Sequence, residues 1–232
     1  MELRLSVAVQ SARTWPDTLR ALVGEGITMW EADLDEAGVA LRRRATPTDL
    51  AAARRIDCRR ERARWLTGRL LAREVLAWSG IDARRNGRQG PLRYSASRNG
   101  SRWLLALGPC ALGVEIERVD AGCADAHARQ LFTARELRVW QRRQSAGRER
   151  MYFATWTAKE AIAKAIGRAA AIPPSAIELP PFARYWRRLP AYAWWLRQLR
   201  VDDDCAAALC AGEPLRMLAR VRLRGGDDGA TA

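Results

Sequence analysis

Three features of this 232-residue chain have chemical content: two glutamates two positions apart, a glutamate and a lysine four apart, and a scarcity of lysine elsewhere. Glu115 and Glu117 lie in Leu112-Gly-Val-Glu-Ile-Glu-Arg118. In a strand, period-two geometry sends Val114 and Ile116 to one face and both carboxylates to the other. Two like charges so close disfavour each other unless a cation lies between them. Glu160 and Lys164 lie in Trp156-Thr-Ala-Lys-Glu-Ala-Ile-Ala-Lys164. On a helix they share a face one turn apart. Among forty Lys+Arg, only Lys159 and Lys164 are lysines. Lysine gives a compact point charge where arginine gives a planar fork, so both lysines mark this stretch as the first place to look. Carboxylates, a hard cation and a lysine form a phosphoryl-transfer grouping around Mg²⁺. Two solvated surface features, a strand face and an i,i+4 ion pair, are the competing reading.

The elements that must position these residues follow from the surrounding pattern. The N-terminal residues alternate like a strand rather than a secretion signal, and residues 26–34 are extended. Thr46-Pro47-Thr48-Asp49 opens a helical segment from about 47 to 78, with Leu66, Leu70, Leu71, Val75 and Trp78 at helical spacing. Residues 79–90 read as a loop. Two strands follow, at 92–97 and 102–107, joined by Arg98-Asn99-Gly100. Beyond Gly108-Pro109 the spacing predicts a strand at 112–117, helices at 132–140 and 151–167, and strands at 191–201, 205–210 and 215–223. Each half offers a long helix and about three strands, although no close repeat links them. The domains expected are an N-terminal half at 1–109, a C-terminal half at 110–225 carrying the catalytic motifs, and a flexible tail at 226–232.

Composition narrows the classes. The net charge of +14 calls for an anionic partner. No apolar run reaches the ~18–20 residues of a membrane span. Five cysteines without a C-x-x-C pair argue against zinc or a disulfide framework and for a reducing cytoplasm. His127, the single histidine, has no ligand spacing around it and is expected on a helix surface, which excludes histidine-based triads.

Gly113-Val-Glu-Ile-Glu117 and, about forty residues on, Trp156-Thr-Ala-Lys-Glu-Ala-Ile-Ala-Lys164 resemble the two-part signature of 4′-phosphopantetheinyl transferases, of the two-halved, surfactin-synthetase-activating type. Phe132-Thr-Ala-Arg-Glu136, the stretch from Ala63-Arg64 to Arg73, and Pro91-Leu-Arg-Tyr-Ser-Ala-Ser-Arg-Asn-Gly100 resemble further family segments. The resemblance covers about residues 50–223. It implies an α+β fold of two pseudo-duplicated halves, each a small, mainly antiparallel sheet packed with a long helix. It also implies Mg²⁺-dependent transfer of phosphopantetheine from coenzyme A to a serine of an acidic apo acyl or peptidyl carrier protein, by a cytoplasmic monomer with no nucleic-acid or membrane partner. Carried over by position, Glu115, Glu117 and Glu160 hold Mg²⁺, Glu160 is the base, and Lys164 contacts the attacked phosphate. Arg64 and Arg55 hold the 3′-phosphate of coenzyme A, with Ser97 and Arg98 in the same pocket and Arg88 as a further coenzyme A contact. Three positions depart from the family: Glu115 stands for aspartate, Arg98 for histidine and Ser95 for asparagine.

Readings from other classes are a basic nucleic-acid-binding protein, a Mg²⁺-dependent nuclease, and an impaired homologue acting as a binding module. Trp65, Trp78, Trp140 and Trp156 fall at apolar helical positions, which suits a core better than base stacking. Arg118 and Val119 supply no lysine two residues after the strand carboxylates, as such nucleases commonly require.

Overall fold

A computed structural model describes residues 3–8, 15–37, 41–81, 92–120, 124–167, 172–180, 186–189 and 193–224. The chain is α+β and divides into two compact units, residues 1–109 with 216–232, and residues 110–215.

The first unit holds β1 (Leu3–Ala8), α1 (Asp17–Leu22), β2 (Ile27–Asp33), α2 (Pro47–Ala53), α3 (Arg59–Trp78), β3 (Arg93–Asn99), β4 (Arg102–Gly108) and, from the far end of the chain, β9 (Met217–Arg224). Its sheet has the order β1-β9-β2-β4-β3. The hairpin side is antiparallel, whereas β9 runs parallel to both β1 and β2. Alternation decides what the sheet buries. Trp30 sits opposite Leu105 on one side and Val221 on the other. These residues pack with Leu66, Leu70, Leu71 and Val75 of α3. A fully buried leucine contributes about 1.5–3 kcal/mol, so this face holds the helix to the sheet. Trp15, Trp30 and Trp78 cluster at ring separations of 5.0–5.5 Å. The hairpin turns at Gly100, whose φ of 55° favours glycine.

Two expectations change here. The single helical segment at 47–78 is two helices. The chain breaks after Arg54, and Arg62 donates to the Ile56 and Asp57 carbonyls at 2.9 and 3.2 Å, satisfying acceptors that a continuous helix would have used. The last strand, expected in the C-terminal half, belongs to the first sheet, where its alternate residues Ala219, Val221 and Leu223 complete the apolar face.

The second unit holds β5 (Leu112–Arg118), α4 (Ala124–Leu131), α5 (Ala134–Gln141), α6 (Ser145–Ile166), a 3₁₀ turn (Pro174–Ala176), β6 (Arg187–Arg188), β7 (Trp195–Leu199) and β8 (Cys205–Ala211). Its sheet, β5-β8-β7-β6, is wholly antiparallel. The long helix α6 lies against it through small residues: Ala158, Ala161 and Ala165 pack in one cluster with Ala208 and Cys210 of β8. A second cluster, Leu131, Phe132, Trp140, Tyr152 and Phe153, joins α4, α5 and α6. Gly167 ends α6 in the left-handed conformation. His127 is exposed on α4, as its surroundings suggested. No helix among the described residues is long and apolar enough to cross a membrane. Cys58, Cys110, Cys205 and Cys210 are thiols rather than half-cystines.

Candidate active site

β5 presents its odd-numbered positions to α6, and the approach is close. A Cβ built on Gly113 would meet the Ala161 carbonyl oxygen at 2.1 Å and the Ala165 nitrogen at 2.6 Å. Only glycine lets the helix backbone settle there. That contact brings the next odd position, Glu115, under Lys164. The Lys164 ammonium pairs with the Glu115 carboxylate and donates to the Val114 carbonyl at 3.2 Å. Glu115 is 7% exposed, whereas Lys164 and Glu160 are part-exposed. Burial raises the Glu160 carboxyl above its usual range, and the nearby Glu115 charge raises it further, with Lys164 opposing. Glu115, Glu160 and Lys164 thus form one electrostatic unit. Glu117, one strand step outward, is half-buried. Among the described residues no three acidic, histidine or cysteine side chains are gathered into a metal-binding group; Glu115 is drawn to Lys164 instead.

Lys159 has a different place. It is 2% exposed, and its ammonium donates to the Leu131 carbonyl at 2.7 Å and to Glu136 at 2.6 Å. Burial lowers its pKa, with Glu136 and Glu178 opposing. Glu136 also closes the capping box of α5 with Thr133 and accepts the Leu179 N–H at 3.1 Å. Lys159 therefore ties α6 to the start of α5 and to the segment after the 3₁₀ turn. Lysine scarcity pointed to both lysines as chemistry, and only Lys164 lies with Glu115 and Glu160.

In the first unit, Arg64 and Arg98 meet on one carboxylate, Glu61, at 2.8 and 2.9 Å. Arg64 also grips Asp35. Arg64 and then Arg98 hold the Glu61 carboxyl below its ordinary range, against burial. Asp35 is lowered too, chiefly by Arg64. A cavity of about 640 Å³ opens beside them, lined among others by Trp65, Arg69, Arg73, Tyr94, Ser97 and Arg98. Its floor carries buried Asp49, which burial would raise but which Arg69 and Arg73, both at 2.7 Å, and the Thr46 cap hold well below the usual range. Arg55 is exposed in the turn between α2 and α3, outside this cavity wall. Arg88 lies outside the described residues.

The sequence reading missed Asp35, Asp49 and Glu61. Glu61 carried a legible signal, its i,i+3 spacing from Arg64. Asp49 was visible only as a helix cap, and Asp35 is brought to Arg64 by the fold alone.

Residues 111–210 match the family model of the 4′-phosphopantetheinyl transferase superfamily. No curated protein matches the chain. The matched segment contains β5, α6, Glu115, Glu117, Glu160 and Lys164, and over that stretch the chain is similar to the 4′-phosphopantetheinyl transferase superfamily.

Proposed function

We propose that the protein transfers the 4′-phosphopantetheine arm of coenzyme A to a serine hydroxyl of an apo acyl or peptidyl carrier protein. The observation that carries this reading is the coupling of Glu115, Glu160 and Lys164 between β5 and α6, inside the superfamily segment. In the step, a bond forms between the serine oxygen and the β-phosphorus of coenzyme A. The bond from that phosphorus to the bridging oxygen breaks, and 3′,5′-ADP leaves with the bond's electron pair.

The donor set fits Mg²⁺. Its oxygens are hard, and Glu160 is disfavoured as an anion by burial first and by the Glu115 charge second, a repulsion that a divalent cation relieves. Glu115, Glu117 and Glu160 would hold the ion. When bound it neutralises the pyrophosphate and favours attack on it. Glu160 takes the serine proton, directly or through water. Lys164 offers its ammonium to the attacked phosphate as negative charge builds there. Arg55, Arg64, Arg88, Ser97 and Arg98 serve the 3′-phosphate end. An acidic carrier suits the net charge of +14. One copy of the chain suffices, in a cytoplasmic setting.

Incubation with coenzyme A, Mg²⁺ and a panel of apo carrier proteins, followed by carrier mass, tests the proposal. A phosphopantetheine adduct on at least one carrier is expected, and none on any carrier, with the protein folded, overturns it. Glu160→Gln is expected to slow transfer by about 10²–10³-fold; unchanged transfer removes Glu160 from its role.

A further inference from the structure

Glu115 is wanted twice. The Lys164 ammonium pairs with its carboxylate and donates to the Val114 carbonyl at 3.2 Å, so the lysine is folded back onto β5. A divalent cation held by Glu115, Glu117 and Glu160 needs the same carboxylate. Two cations on one carboxylate repel each other, and more strongly where the carboxylate is buried, as Glu115 is. The turn that carries Lys164 has no room to adjust. It is seated on Gly113, where a Cβ would meet Lys164 Cβ at 2.8 Å, and it is packed through Ala161 and Ala165 against β8. Any separation from Glu115 therefore falls to the lysine side chain, which is a third exposed and has a flexible four-carbon stem.

We infer, on the transfer reading above, that Lys164 and the divalent cation compete for Glu115, so that cation binding turns the Lys164 ammonium from the strand toward the phosphate. The order is cation first, lysine second. Both residue types suit such an exchange. Glutamate carries its carboxylate one methylene farther from the strand than aspartate would, which gives it reach toward α6. Lysine meets that carboxylate as a point charge and can let go, whereas arginine would take both oxygens in a fork and hold them. Of the forty basic residues only Lys159 and Lys164 are not arginine. Lys159 is enclosed by fixed partners. Lys164 is the one that must change partners.

Mn²⁺ takes the same oxygen ligands as Mg²⁺. Titrated alone into the full chain and read by loss of the free-ion electron paramagnetic resonance signal, it measures the competition without turnover. Lys164→Met removes the competitor and is expected to tighten Mn²⁺ binding about fivefold or more. Lys164→Arg keeps the charge and grips Glu115 harder, and is expected to weaken binding by a similar factor. Repulsion without competition predicts the first change and not the second. Mn²⁺ binding in Lys164→Arg equal to that of the unsubstituted protein therefore overturns the inference, as does looser binding in Lys164→Met. A second readout needs no substitution, because the chain has only two lysines. On acetylation followed by peptide mass, Lys164 is expected to react several-fold faster with Mg²⁺ present while Lys159 keeps its rate. An unchanged Lys164 rate with the cation bound, or a parallel rise at Lys159, overturns the inference. Absence of Mn²⁺ binding in all three proteins brings down the metal part of the transfer reading and this inference with it; equal binding in all three brings down this inference alone.

Discussion

Lys159 and Lys164 are separated by about 140° around the axis of α6, at 100° per residue, and their ammonium groups meet different surroundings. Lys159 is enclosed, with Glu136 as its charge partner. Substituting Lys159→Met strands a buried carboxylate that also caps α5, and removing one partner of such a pair costs about 3–5 kcal/mol. Urea unfolding is expected to show that loss. A fall below about 1 kcal/mol would mean that water reaches Glu136 and the pair contributes little. Lys164 is a third exposed but its partner Glu115 is buried, so its substitution to Met is expected to lower the urea midpoint less than Lys159→Met does, while transfer to carrier protein collapses. Lysine scarcity drew attention to this turn of helix, and the structure sets Lys159 against Leu131 and Glu136 and Lys164 against Glu115. Helical spacing separates the faces of α6, but nothing local says that Leu131 and Glu136 wait on one face and Glu115 on the other. Those partners lie 28, 23 and 49 residues away in sequence.

The packing of α6 on β5 depends on a missing side chain. Gly113→Ala would drive a methyl group into the Ala161 carbonyl and the Ala165 nitrogen, both backbone atoms that cannot swing aside. The helix would have to lift from the strand. Because Lys164 rides on the same turn, the lift also separates it from Glu115. Gly113→Ala is therefore expected to lower stability by about 1–3 kcal/mol, the range for overpacking, and to reduce transfer more than that loss of folded protein explains. Transfer per folded molecule equal to that of the unsubstituted protein would mean that the site tolerates the shift. The elements around this contact were legible because each had a strong local pattern: alternation in β5, an unbroken apolar stripe and terminal glycine in α6, and a turn at Asn99-Gly100 between β3 and β4. The break between α2 and α3 was not legible. Residues 54–58 include no proline or glycine, and the turn that follows the helix is held from afar by Arg62, which takes the Ile56 and Asp57 carbonyls. The placement of β9 was also hidden, since an alternating strand fits any sheet with an open apolar face.

Across the whole molecule, one device appears in both units. Thr46 and Asp49 form a capping box at the start of α2, and Thr133 and Glu136 form another at the start of α5. In each, the boxed carboxylate is buried and also binds cations from the unit's long helix, Arg69 and Arg73 on α3 or Lys159 on α6. No sequence repeat links the halves, yet each fastens its long helix to a short preceding one in the same way. The same bonds bear on the charge of +14. Asp35, Asp49, Glu61 and Glu31 together engage Arg60, Arg64, Arg69, Arg73, Arg98, Arg220 and Arg222, so these arginines of the first unit are paired with its own carboxylates.

The position of β9 between β1 and β2 sets an order of events for a chain leaving the ribosome. Residues 110–215 form a contiguous unit that can close as soon as it emerges, whereas β1 has no neighbour in its sheet until β9 arrives. At 5–20 residues per second, β2 waits roughly 10–40 s with an unpaired edge. The half made first is finished last. A chain stopped after Leu215 is expected to lose the first unit to limited proteolysis while a fragment spanning 110–215 persists. Equal resistance of both units would mean that β9 only decorates a sheet already closed. During that wait, the open edge of β2, which carries Trp30, is what a nascent-chain chaperone would find, and this protein's dependence on such help should fall when β9 is supplied early by circular permutation.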